Sequence, residues 1–364
     1  MRAPHFLLLC LPIVATAATA AHLNTQTAPA GAFPEGVAQQ VRWLEATLDD
    51  KAAADNQHRF PEGELFTWQF YSLALFNIAE ATKDPKDVAR AVTVARAVLP
   101  KVDAMLTHLP FSRMKDRRLR GGICWFSGQN LIRARLVALA GTPAEVQRFH
   151  DDSALLHSEL SRSKTAVLEA HPGESWPVDS LFGLESLQLH DRLYGTSYFR
   201  VFDKWVAAME ATKDKETGLH VSFLHLDGRA RDVPRGCALS WSLAVLPRLH
   251  PKLAAEQWAA YKKSFFSCTA GVCLVREYPP GVNRKGDLDS GPVVNGYGMS
   301  ATAFALAAAR ANGDLDTAAS LERLGESFGS PVVTAAGKRY LNGTEPMFDV
   351  LSLWVRTVSI PLPP

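Results

Sequence analysis

The chain has 364 residues, 47% apolar and 21% charged, the composition of an ordinary globular protein with ample core. Its 39 basic and 37 acidic residues leave a net charge of +2, which gives no electrostatic footprint for nucleic acid or another polyanion. Length alone allows one large domain or two.

The N-terminus reads as a secretory signal over residues 1–21. Arg2 supplies the positive region, residues 6–14 (FLLLCLPIV) the apolar core, and residues 15–21 (ATAATAA) a small-residue cleavage zone. The apolar run is too short to span a bilayer stably, so no lasting membrane insertion is expected after cleavage and the mature chain is expected to be periplasmic or secreted. Cys10 lies very early and follows Leu9, where a lipoprotein signal wants a small residue. Residues 22–34 (HLNTQTAPAGAFP) read as a flexible lead-in, and residues 35–364 as one domain.

Within that domain one kind of segment recurs six times. Each copy opens with a short turn and runs into a mostly apolar helix. The copies begin at Gly63, Gly121, Ser175, Arg235, Ser290 and Thr344, at intervals of 54 to 60 residues. A period of this size holds one pair of helices with its loops. Between the apolar segments lie six amphipathic stretches, over residues 36–50, 84–107, 143–169, 197–212, 251–266 and 315–328. Asp84-Pro85 and Thr142-Pro143 each place a capping residue before a first-turn proline, while Gly141, Gly195 and Gly313 stand as helix stops. The pattern predicts an all-α (α/α)6 toroid of six helical hairpins, with the apolar, Ala-rich helices inside and the amphipathic ones outside.

Short alternating stretches interrupt the helices. Residues 218–226, with Asp227-Gly228 as turn, residues 272–278 and residues 332–341 read as small hairpins at one rim. Cys268 and Cys273 flank a Gly-containing turn and read as a local disulfide, which an exported chain would keep. No nearby histidine completes a metal site with them, and neither a metal nor a cofactor is expected. His220 and His225 face opposite sides of their stretch. His150, His157 and His171 lie on or beside an outer helix and read as surface.

Three stretches, residues 176–191 (WPVDSLFGLESLQLHD), 232–246 (DVPRGCALSWSLAVL) and 276–298 (REYPPGVNRKGDLDSGPVVNGYG), resemble the (α/α)6 toroids of six-hairpin glycosidases and polysaccharide lyases, and the related linalool dehydratase/isomerase-like domains. The resemblance spans nearly the whole mature chain. It implies a substrate site where the inner helices begin.

If the inner helices run the same way, their starts share one mouth. Glycoside cleavage needs two carboxylates across such a cavity, one to donate a proton and one to activate water or attack the sugar. Glu277, at the end of a strand, is the expected acid, with Asp179 and Asp289 competing for the base. Trp68, Trp125, Trp176 and Trp241 would stack on sugar faces, and Arg235 would orient the substrate. Arg276, Asp287 and Tyr297 lie in the unusually polar loop before the fifth apolar helix and are further binding candidates. A lyase would instead use Tyr278 or Tyr297 with Arg235 or Arg276. A dehydratase/isomerase acting on a small hydrophobic alcohol would use Cys124 and Cys237 beside Asp179. A non-catalytic glycan-binding envelope protein is the third possibility. The leading expectation is an exported carbohydrate-active enzyme acting on a poly- or oligosaccharide.

Overall fold

A computed structural model describes residues 33–107, 119, 121–343 and 345–359. The expected signal, most of the lead-in and Thr344 lie outside the described residues. Among those residues, no helix is long and apolar enough to cross a membrane.

Six inner helices form the ring: α3 (Gly63–Thr82), α5 (Ile123–Ala140), α7 (Asp179–Tyr194), α9 (Gly236–Leu249), α11 (Met299–Ala311) and α13 (Pro346–Thr357). Each packs on the next, and α13 returns to pack on α3, which closes the toroid. Outside them run α1 (Val37–Thr47), α4 (Pro85–Ala104), α6 (Pro143–Arg162), α8 (Phe202–Ala211), α10 (Pro251–Phe265) and α12 (Leu315–Phe328). A short α2 (Asp50–Gln57) follows α1, because Asp49 breaks the expected single helix and caps a new one by accepting from the Ala52 amide at 2.7 Å.

The two sets differ in how they begin. Asp84, Thr142, His250 and Asp314 cap α4, α6, α10 and α12 with their side chains, Thr142 through a reciprocal capping box with Glu145. None of the six inner helices is capped by its own N-cap side chain. Connections from inner to outer helices are mostly short, whereas those from outer to inner are mostly long. The long ones gather where the inner helices begin, and they build the mouth.

Among the described residues, three two-stranded antiparallel hairpins sit in these long connections: β1 (Phe266–Thr269) with β2 (Val272–Val275), β3 (Val293–Val294) with β4 (Tyr297–Gly298), and β5 (Val332–Thr334) with β6 (Gly337–Arg339). Cys268 and Cys273 face each other across β1 and β2 and are disulfide-bonded. Two expectations needed correction. Residues 218–226 form only isolated bridges, from Leu224 to Ser175 and Ala230, rather than a strand. The fifth inner helix starts at Met299 and not at Ser290, because Asn295 and Gly296 both adopt left-handed backbone and turn β3 into β4.

The axis of the ring is filled by aromatic side chains. Phe70 lies 4.8 Å from Trp354, 5.2 Å from Trp241 and 6.1 Å from Phe182, ring centre to ring centre. Trp241 also meets Phe66, Phe182 and Phe304. Edge-to-face and offset contacts of this kind add to the burial of large apolar area. Trp241 is half-buried and packs, with Trp176, against Val178, Cys237 and Ala238 where α7 and α9 begin.

Phe70 is fully buried and touches three helices besides its own. Phe70→Ala is therefore expected to cost about 3–5 kcal/mol. Urea unfolding should show this as a lowered midpoint with an unchanged slope.

Candidate active site at the toroid mouth

Asp179 is the first residue of α7 and is partly buried at the mouth. Among the described residues nothing donates a hydrogen bond to its carboxyl. Burial pushes its pKa up to about 7; the charge of His171 opposes this, and the charges of Glu62, Asp289 and Glu174 add to the rise. The carboxyl is therefore about half protonated near neutral pH, where an ordinary aspartate is ionised.

Glu62, at the threshold of α3, pairs with His171 across the mouth at 2.5 Å. Burial works against a charge on His171, but this bond together with the charges of Glu62, Asp179 and Glu174 outweighs it and raises the imidazole pKa. His171 was expected at the surface; it instead sits on the connection leading to α7 and belongs to the mouth. No local motif marks it, because the Glu62 partner is far away in the chain.

Asp289 stands on the rim with its surface open to solvent. The wall of the mouth still crowds its carboxyl, and with Asp287 beside it the pKa rises to about 6. It caps no helix, since α11 begins ten residues later.

Glu277, the expected acid, occupies a different position. Its side chain is 0% exposed. One oxygen accepts from Arg235 Nε at 2.9 Å and from Cys237 Sγ at 3.0 Å, and the other accepts from the Cys237 amide at 3.1 Å. Glu277 thus caps α9 from outside and anchors Arg235, and neither oxygen opens to the mouth. Glycines permit this close approach. A Cβ on Gly236 would lie 2.0 Å from the Arg276 carbonyl, and one on Gly298 would lie 2.9 Å from the Glu277 carboxyl.

Arg235 is 3% exposed at its side chain and reaches forward from Glu277 to Asp287, Nη2 to Oδ1 at 2.8 Å. Burial opposes the charge on Asp287, but the bonds from Arg235 and the Ser290 amide outweigh it and hold the carboxyl below the usual range. Trp176 lies 4.6 Å from Phe223, nearly parallel, and the Arg235 guanidinium lies over it at 5.4 Å. Phe223 and Arg235 cannot share one face, so both faces of Trp176 are covered and only its edge is offered.

Two other tryptophans leave the site altogether. Trp68 is 5% exposed and carries the Lys101 ammonium over its ring, while Trp125 is 6% exposed and donates to the Val102 carbonyl at 2.9 Å. Both pack inner helices against α4, because their positions on α3 and α5 point outward from the ring. Trp241 remains as the indole at the floor of the mouth. Arg276 and Tyr297 pair with each other through a backbone bridge and a guanidinium 5.3 Å over the ring, so they form a piece of rim.

Cys124 and Cys237 are both buried, unbridged thiols. Burial pushes each well above the usual thiol range, with Asp179 adding to the effect on Cys124 and Glu277 to that on Cys237. They are neutral at physiological pH. Among the described residues, no group of three or more His, Cys, Asp or Glu side chains is arranged to hold a metal ion.

The fold matches solved structures at very low sequence identity. An unsaturated glucuronyl hydrolase specific for heparin aligns over 88% of this chain and 95% of its own, with a TM-score of 0.54 and 12% identity. A possible member of the GH105 family from Klebsiella pneumoniae aligns over 80% of this chain and 81% of its own, with a TM-score of 0.51 and 14% identity. The GH76A alpha-1,6-mannanase from Salegentibacter sp. HEL1_6 aligns over 88% and 96%, with a TM-score of 0.50 and 12% identity. The chain therefore has the (α/α)6 toroid fold of six-hairpin glycosidases. No family model matches its sequence, and no curated protein does.

Two substitutions separate an open acid from a buried anchor. The folded state binds the Asp179 proton more tightly than the unfolded chain does. That contribution is complete below about pH 4 and is lost as pH rises through about 7. Asp179→Asn, neutral at every pH, should be more stable than wild type at pH 8 by roughly 1–2 kcal/mol, allowing for partial solvent exposure, and equal to it near pH 4. Glu277→Ala should instead lose about 3–5 kcal/mol at pH 7, because it leaves Arg235 buried with half its pairing. Urea midpoints at the stated pH values decide both.

Proposed function

We propose that this chain is an exported carbohydrate-active enzyme that hydrolyses a glycosidic bond of a poly- or oligosaccharide at the toroid mouth. Asp179 is the observation that carries the reading. It is an acid with no hydrogen-bond donor among the described residues, about half protonated near neutral pH, on a rigid helix end beside further carboxylates. A glycosidase needs such a proton donor for the leaving oxygen. Export rests on the residue 1–21 signal and agrees with the Cys268–Cys273 disulfide.

In this reading Asp179 protonates the leaving-group oxygen. Asp289, the more acidic of the two, is the ionised carboxylate that activates water or attacks the sugar carbon. Trp241 offers its exposed part to a sugar ring at the floor of the mouth. Glu277 is a positioning residue that acts through Arg235. The neighbours agree with this class of chemistry, since the structures of shared fold include a glucuronyl hydrolase and a mannanase.

The pH profile of kcat/KM tests the assignment. The acid must be protonated, so activity should fall as pH rises through about 7. The second carboxylate must be ionised, so activity should fall as pH drops through about 6. A narrow maximum between those values is expected on the best substrate of a polysaccharide panel read by new reducing ends. Asp179→Asn should lower the rate by roughly 10²–10⁴ and remove the alkaline limb from what remains. Full activity in that variant, or unsaturated uronate products in place of reducing ends alone, would sink the hydrolase reading.

A further inference from the structure

Among the described residues, the cations nearest the carboxylates of the mouth are engaged within the protein. Arg235 is tied at Nε to Glu277 and at Nη2 to Asp287, and Trp176 lies against its guanidinium. His171 is tied to Glu62. On the rim, Arg284 pairs with Asp232 at 2.6 Å, and Arg231 lies over Phe223 and donates to the Gly173 carbonyl. Against these stand Asp179, Asp289 and Glu174, whose charges act on one another across the opening. The uncapped ends of the inner helices offset this in part, but each carries only about half a charge that fades within one turn. Glu277 already occupies the end of α9.

Arg235 is the side chain best suited by chemistry to receive a substrate carboxylate, because its planar fork matches one. Asp287 sits in that place. It is half-exposed, it is fixed by the Ser290 amide at 3.0 Å, and it presents its own carboxylate to the guanidinium edge nearest the opening.

We infer that Asp287 is a specificity-determining residue: it fills the Arg235 fork with a carboxylate of the protein's own, so the site accepts saccharides without acid groups and turns away uronates. The inference rests on the carbohydrate reading above and deepens it. A uronate approaching the Arg235 edge meets the Asp287 carboxylate and finds that guanidinium fork occupied. Repulsion of this kind excludes a wrong ligand as effectively as attraction selects a right one. The discrimination therefore lies in the charge of the ligand and does not require a different sugar ring.

Matched ligands that differ only in charge provide the test. Titration calorimetry on the full mature chain carrying Asp179→Asn would compare oligogalacturonate with its fully methyl-esterified form. Neutral manno-, xylo- and cello-oligosaccharides would complete the panel. The inference expects binding of uncharged members and at least about tenfold weaker binding of the free acid. Adding Asp287→Asn should narrow that gap by about tenfold, through gained affinity for the acid, while Asp287→Glu should restore it. A thermal midpoint on each variant confirms that the fold is kept. Equal or tighter binding of the free acid by the chain with Asp287 intact overturns the inference and leaves the carbohydrate reading standing. A gap that Asp287→Asn does not move in the folded protein also overturns it. Binding of no saccharide at all overturns the carbohydrate reading, and the inference with it.

Discussion

A ring of six helices has a hole at its centre, and the way this protein fills that hole governs the rest of the structure. Phe66, Phe70, Phe182, Trp241, Phe304 and Trp354 meet around the axis, with Phe70 and Trp241 at the hub. Five of the six inner helices contribute. The plug joins residues remote in the chain, so the ring closes as one cooperative unit rather than as separate hairpins. It also turns a tube into a cup. The end where the inner helices begin carries the open carboxylates, and Trp241 forms part of its floor.

Closure at the seam uses polar contacts as well. Arg356 of the last inner helix is buried and donates to Gln40 of α1 at 2.9 Å and to Glu322 of α12 at 2.7 Å. Gln40 in turn donates to the Asp349 carbonyl at 2.8 Å. First and last elements are thus stitched by groups whose loss would leave a buried charge without its partners. Such a seam gives the long connecting loops a rigid base. Those loops then carry the residues that make the mouth distinctive.

The mouth stores unfavourable electrostatics that the ring tolerates. Asp179 and Asp289 are held in a partly dry, like-charged setting that raises both carboxyls. Glu277 and Asp287 are instead held by their bonds to Arg235. The four acids have similar sequence surroundings, since each lies near prolines or glycines in a connection or at its end. They differ in partners: a carboxylate with donors on every side is an anchor, whereas one without donors is available for chemistry.

The sequence alone determined the period, the two helix classes and hence the closed ring, because a 54–60 residue repeat of apolar and amphipathic segments has few ways to bury itself. It also marked the Cys268–Cys273 hairpin, since cysteines flanking a tight turn are close in any fold that keeps the turn. It identified the loop ends as the place for acids and arginines. It did not separate Trp241 from Trp68 and Trp125, because all three begin apolar helices whose residues are buried on nearly every face. An apolar helix has no weak side for a pattern to reveal. Nor did it reveal the Glu62–His171 pair or the bond from Arg235 to Glu277, which join residues 109 and 42 positions apart. Side-chain direction and long-range pairing arise only when the ring closes, so the tertiary structure alone decided which carboxylates are anchored and which remain open.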